Sequence, residues 1–212
     1  MRGIVGHLCV VALSWTIGCA YTVPVEPVEV DASGARSGYK IPGQFSASIE
    51  TEDCCKKEVR SELLMCQAPT YHVNSNGAVE TSLKTALPAV FDDLVIGQTD
   101  RANGLTFTVE RFEVGIKFNP VGVVPTVQAT ADVGMMVEAR RNGESVMKGH
   151  AYAQQANIGP VVMFCAEAAS TIAEAVNAAT REALTKLTEL LANSPTIRDM
   201  AGPLPGKQAQ AE

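Results

Sequence analysis

The sequence predicts an α+β fold, a two-layer sandwich of a mostly antiparallel sheet packed by two helices. Three observations carry that prediction. Residues from Leu105 to Gln155 alternate apolar and polar side chains in strand-length runs. An alanine-rich segment from Ala166 to Asn193 carries an apolar stripe at helical spacing, and a shorter stripe lies between Val79 and Leu94. The chain is expected to divide into an apolar leader over residues 1–18, a flexible tether over 19–40, one α+β domain over 41–194 and a disordered tail over 195–212.

The elements follow in order. From Ala20 to Tyr39 the chain passes Pro24, Pro27, Gly34 and Gly38 without a stable period, which reads as a tether. A first pair of strands is expected over Phe45–Thr51 and Glu58–Cys66, joined by the charged turn from Glu52 to Lys57. Asn74-Ser75-Asn76-Gly77 opens a helix with Val79, Leu83, Leu87, Val90, Phe91 and Leu94 on its buried face. Pro88 should kink or divide it at Leu87, because proline removes a helix donor and clashes with the preceding turn.

Leu105, Phe107 and Val109 alternate in one phase and Phe112, Val114, Ile116 and Phe118 in the other, so a bulge is expected near Glu110-Arg111. Strands over Thr126–Ala139 and Ser145–Gln155 flank Arg140-Arg141-Asn142-Gly143, where Asn-Gly favours a tight hairpin turn. Leu105, Phe107, Met136 and Val146 are candidate core contacts under the helices. Residues Ala156 to Pro160 read as a loop, followed by the apolar patch Val161, Val162, Met163 and Phe164. In the closing helix, Ala169, Ile172, Ala173, Val176, Ala179, Ala183, Leu187, Leu190 and Leu191 form the stripe, and Ser194-Pro195 ends it.

The first residues resemble a bacterial lipoprotein leader. Arg2 supplies a positive start, Ile4 to Ile17 is apolar but too short to span a bilayer, and Thr16-Ile17-Gly18-Cys19-Ala20 is similar to a lipobox, with Thr16 where leucine is usual. The resemblance implies acylation of Cys19, with chains such as palmitate, and cleavage before it. Each buried methylene adds about 0.8 kcal/mol, so a cysteine with two or three acyl chains stays in its membrane. Ala20 after the cysteine, rather than Asp, implies the periplasmic face of the outer membrane. The rival is ordinary cleavage after Gly18-Cys19-Ala20, which gives a soluble periplasmic protein.

Of the six cysteines, Cys9 leaves with the leader and Cys19 is the lipidation site. Cys54, Cys55, Cys66 and Cys165 remain as disulfide candidates in an oxidising compartment. Cys54 and Cys55 point to opposite faces if their segment is extended, so each is expected to reach a distant partner more easily than its neighbour. The expectation is one bridge within the 54–66 segment and one tying that segment to Cys165, although four cysteines allow three pairings.

The order of leader, strands, helix, antiparallel strands and closing helix resembles bacterial envelope lipoproteins of the YajG type. Related folds occur in the TolB N-terminal domain and in lipoproteins of curli and Pel exopolysaccharide export. The segments from Val79 to Leu87 and from Ala173 to Ala179 look like that group's two helices. The resemblance implies a helical layer on a sheet, subunits that associate, and no shared catalytic residues.

No site chemistry stands out. His72 and His150 lie outside any zinc or nucleophile motif, and His150 alternates with Tyr152 as a sheet-face residue would. Glu110, Glu113 and Asp92-Asp93 fall on surfaces where carboxylates are solvated. Gly97, Gly104 and Gly122 are too isolated to cradle a phosphate, and the cysteine spacing lacks paired CxxC geometry. No metal, cofactor or catalytic residue is expected. A formal net charge of −6 disfavours nucleic acid as a partner. The expected function is a non-catalytic outer-membrane lipoprotein that binds or assembles with an envelope protein, self-association being one option. Val161, Val162, Met163 and Phe164 or a sheet edge are the candidate contact surfaces. The rivals are a carrier of a lipid or other apolar ligand, and a cryptic hydrolase using His72 or His150.

Overall fold

The computed structural model describes residues 20–30, 40–51, 54–60, 69–97, 101–120, 124–161 and 165–202. Their elements are β1 (Ala20–Val23), β2 (Ile41–Glu50), β3 (Lys56–Arg60), β4 (Thr70–Asn74), α1 (Asn76–Ala86), β5 (Phe91–Ile96), β6 (Asn103–Asn119), β7 (Thr126–Arg141), β8 (Glu144–Pro160), α2 (Glu167–Asn193) and α3 (Pro195–Met200). A five-stranded sheet runs β5-β2-β6-β7-β8, and a three-stranded sheet runs β1-β4-β3. Both sheets are mixed. Strand β2 is parallel to β5 and β6, and β1 is parallel to β4, whereas the long β6-β7-β8 meander and the β3/β4 pair are antiparallel. The α+β class therefore stands, with antiparallel pairing dominant by length.

The meander follows the sequence pattern closely. Asn142 and Gly143 adopt φ of 53° and 86°, the left-handed values that a tight hairpin turn needs at both central positions. The phase change in β6 is a bulge between Val109 and Arg111, which keeps Val109, Phe112, Val114 and Phe118 on one buried face. On β7, Val127, Ala129, Ala131, Val133, Met135, Val137 and Ala139 alternate inward. The inward residue is thus Met135, and Met136 lies on the other face. Val146 is 41% exposed, so it too leaves the expected core, while Leu105 and Phe107 are buried as expected. Here β8 has one extra residue against β7, because Met147 opposes Ala139 while Ser145 opposes Arg140.

Helix α2 lies against β7 and β8 through small residues. Ala168, Ala175, Val176, Ala179, Ala183, Leu184, Leu187 and Leu191 are fully buried. A Cβ built on Gly149 of β8 would stand 2.7 Å from the Leu190 side chain, so the bare backbone there is what admits the helix. Each fully buried leucine contributes about 1.5–3 kcal/mol.

Several elements depart from the sequence expectations. Strand β2 does not form a hairpin with β3, which instead pairs with β4 in the smaller sheet. Helix α1 stops at Ala86, a 3-10 turn over Leu87–Ala89 contains Pro88, and the chain then extends into β5, so Phe91 and Leu94 are strand residues. Strand β8 continues through Ala156 to Pro160, where a loop was expected. Residues 20–30 are not a free tether: β1 pairs with β4, Val23 and Val28 are buried, and the Val28 N–H donates to Ser82 Oγ at 2.9 Å. Residues 195–202 are likewise not a disordered tail. Ser194 caps α3 by accepting from the Ile197 N–H at 3.3 Å, Pro195 occupies the first turn, and Ile197 and Met200 are buried.

Candidate functional site

The meander has two unlike faces. The inner face meets α2. The outer face carries a polar cluster built on the β6 bulge, which sets Glu110 across β7 from the even residues of β8. Glu110 Oε2 lies 2.9 Å from His150 Nδ1 and accepts from the Tyr152 hydroxyl at 3.0 Å. Tyr152 reaches it by lying over Gly134 of β7, where an added Cβ would come within 2.6 Å of its ring. The His150 and Tyr152 rings stand parallel, 6.1 Å between centroids and 3° between planes. Beside them Arg111 pairs with Asp132 at 2.8 Å, and Lys57 of β3 pairs with Glu113 at 2.7 Å.

The electrostatics of the cluster follow from those contacts. The hydrogen bond with His150 holds the Glu110 carboxyl below the ordinary carboxylate range, helped by the Tyr152 hydroxyl. The same carboxylate keeps the Tyr152 proton in place, because a phenolate beside it would lose that hydrogen bond and face a like charge. The group therefore presents a fixed aromatic and carboxylate surface in open solvent. A carboxylate held down in this way is a hydrogen-bond acceptor and a weak base at neutral pH.

The outer face also holds most of the exposed apolar surface. Among the described residues the exposed large hydrophobics are Val124 at 49%, Val146 at 41%, Tyr152 at 50% and Ile158 at 65%, and the last three all belong to β8. Tyr152 and Ile158, six residues apart, share one face of the strand, and Val146 is the extra residue beside the turn.

A second feature is the turn between β2 and β3. Cys54 and Cys55 are disulfide-bonded to each other across a Cα separation of 3.8 Å. This corrects the expectation that neighbours would seek separate distant partners. The segment is a turn rather than an extended strand, and a turn does not force adjacent side chains to opposite faces. The N-terminus of α1 fixes this turn: Asn76 Oδ1 accepts from the Cys55 N–H at 3.1 Å, and the Ser75 N–H donates to the Cys55 carbonyl at 2.9 Å. A shallow cleft beside it is lined by Ile49, Glu50, Cys54, Thr108 and Val109.

The remaining sequence candidates fall as follows. Cys165 is disulfide-bonded, with its partner outside the described residues. Its backbone sits at φ 63°, and its carbonyl accepts from the Tyr71 hydroxyl at 2.7 Å. Burial, with Tyr21 and Glu167 nearby, pushes the Tyr71 hydroxyl up to about 12. Cys19 and Cys66 lie outside the described residues, as do Val162, Met163 and Phe164. Val161 is buried at 8% exposure, and its N–H donates to the Pro125 carbonyl at 2.8 Å, so it offers no free contact surface. His72 stands 3.4 Å from Glu58 on the small sheet, where the two residues face each other across β3 and β4. No group of three or more His, Cys, Asp or Glu among the described residues could hold a metal. The Glu110 cluster escaped the sequence reading, although the bulge and the His150/Tyr152 alternation that build it were both visible there.

No protein-family model matches the chain, and no curated protein is significantly similar to it. Solved structures of similar course exist. One is a Xanthomonas campestris protein of the family of unknown function DUF330, at 13% identity over 82% of this chain and 94% of that one, with a TM-score of 0.49. Another is a minor lipoprotein from Acinetobacter baumannii, at 11% identity over 73% and 93%, with a TM-score of 0.43. A third is a candidate lipoprotein from Caulobacter crescentus, at 14% identity over 82% and 100%, with a TM-score of 0.41. At these scores the functional reading rests on the residues of this chain.

Proposed function

We propose that this chain is an outer-membrane lipoprotein, anchored through Cys19 at the periplasmic face, that works by binding or assembly with an envelope protein rather than by catalysis. The observation that carries the reading is the exposed apolar pair Tyr152 and Ile158 on the uncovered face of β8, with Val146 beside its turn, next to the fixed Glu110, His150 and Tyr152 surface. Isolated exposed apolar residues are ordinary, and what favours a contact surface here is their place on the same strand as His150 and Tyr152 of the ordered Glu110 group. The leader and the Cys19 context support the address, and no helix among the described residues is long and apolar enough to cross a membrane. We place the contact surface on the sheet; of the Val161 to Phe164 segment only Val161 is among the described residues, and it is buried.

Carriage of an apolar ligand between helix and sheet is disfavoured by how closely α2 approaches β8 at Gly149, with Leu190 filling the space. The intact mass of the mature protein from a host membrane fraction tests the address. The expected chain begins at Cys19 and carries acyl chains; an unacylated chain beginning at Tyr21 would replace this reading with a soluble periplasmic one. Ile158→Asp should then abolish co-purification of the envelope partner while the circular dichroism spectrum stays unchanged.

A further inference from the structure

Among the described residues β8 has β7 on one side and no strand on the other. Which of its backbone groups face that open edge follows from two contacts. The Val161 N–H bonds the Pro125 carbonyl at 2.8 Å, continuing the β7/β8 ladder by one residue. Residues of an antiparallel strand turn their N–H and C=O alternately to either neighbour. The odd residues from Gly149 to Gly159 therefore bond β7, and Lys148, His150, Tyr152, Gln154, Ala156 and Ile158 turn theirs outward. The second contact agrees: Lys186 of α2 donates to the outward Tyr152 carbonyl at 2.9 Å.

We propose that β8 pairs antiparallel with β8 of a second copy of this chain, about a twofold axis through Tyr152, joining the two five-stranded sheets into one. An isologous contact must be self-complementary, and β8 is. Centring on Tyr152 sets Val146 opposite Ile158 of the second copy, Lys148 opposite Ala156 and His150 opposite Gln154. The exposed apolar residues meet each other at both ends, and no like charges face directly. Tyr152 leans over Gly134 toward β6, which takes its side chain away from the edge. Lys186 is the guard on that edge. It also pairs with Glu182 at 2.6 Å, so it keeps a partner when the second strand takes the Tyr152 carbonyl.

The inference deepens the association role proposed above and rests on it only in using the same strand. Single-cysteine variants of the full chain, oxidised in host membranes, test the axis. Residues facing across a hydrogen-bonded antiparallel pair have Cα atoms about 5.5 Å apart, within disulfide reach. Tyr152→Cys should give a covalent dimer well above the wild-type background. Lys148→Cys and Ala156→Cys should each fail alone, their own copies lying roughly 27 Å apart at about 3.4 Å per residue, yet cross-link when co-expressed. Gln154→Pro keeps the β7 ladder but removes an outward donor, so the detergent-solubilised variant should sediment as a monomer with unchanged circular dichroism where the wild type sediments at twice that mass. A wild type that sediments as a monomer, or Lys148→Cys cross-linking to itself, would overturn the axis. Retained co-purification of an envelope partner in that case would leave the broader role standing.

Discussion

The two faces of the β6-β7-β8 meander come from the same three strands and differ by one residue of phase. On the inner face, alanine, valine and leucine interlock with α2 until a single glycine, Gly149, decides whether the helix can seat. On the outer face, Glu110, Arg111, Asp132, His150 and Tyr152 contact one another in reach of water. Close packing makes a face intolerant of volume change, whereas an exposed face tolerates it and is free to be shaped by partners. Stability should therefore reside on one side of the sheet and recognition on the other.

Substitutions can break that contrast or sharpen it. The largest effect is expected for Leu184→Ala, which opens a cavity under the middle of α2 and should cost about 2–5 kcal/mol in urea unfolding. Gly149→Val would push against Leu190 and Met147 and should cost about 1–3 kcal/mol by the same measurement. Tyr71→Phe removes the hydrogen bond to the Cys165 carbonyl, at a cost of about 1 kcal/mol. On the outer face, Ile158→Thr should leave the unfolding free energy from urea titration within about 0.5 kcal/mol of wild type. An outer-face cost as large as the Leu184 cavity would mean that the contrast is false.

The mildest perturbation is pH. Because the folded state holds the Glu110 carboxyl below its ordinary value of 4.5, this group stabilises the fold above the ordinary value. That contribution is lost as pH falls through the depressed folded value. Wild type should exceed Glu110→Gln in thermal stability at neutral pH, and the gap should close in acid; a gap that widens on acidification would contradict the His150 and Tyr152 contacts.

Local chemistry made the meander legible. Asn142-Gly143 specified its turn, the phase slip at Glu110 specified its bulge, and alanine spacing specified α2. The sequence reading failed where pairing is long-range or two periods coincide. Phe91 and Leu94 continue a helical spacing from Leu87, yet Pro88 ends the helix and the parallel partner β2 draws them into β5. Val146 was misplaced because one extra residue beside the turn changes the face that follows. Pro24 and Pro27 disguised residues 20–30 as a tether, since nothing local shows that Val23 and Val28 find their cover on β4 and α1. At Cys54 and Cys55, what mattered was the turn held by Asn76, a contact from another element. The open-face cluster was out of reach for the same reason: it joins Glu110 to residues forty positions away.

The position of β1 also has a mechanical meaning. Ala20 is already paired with Thr70, one peptide unit of about 3.8 Å from Cys19. A lipid on Cys19 would moor the domain by a rivet rather than a rope. The domain could not swing through a wide arc, so its bearing toward the bilayer would be fixed by the direction in which β1 enters the small sheet. Traction on the acyl chains would pass first into the parallel β1/β4 rungs and only then into the core. Lengthening that junction with a few glycines would leave every contact of the fold in place and remove the fixed bearing alone.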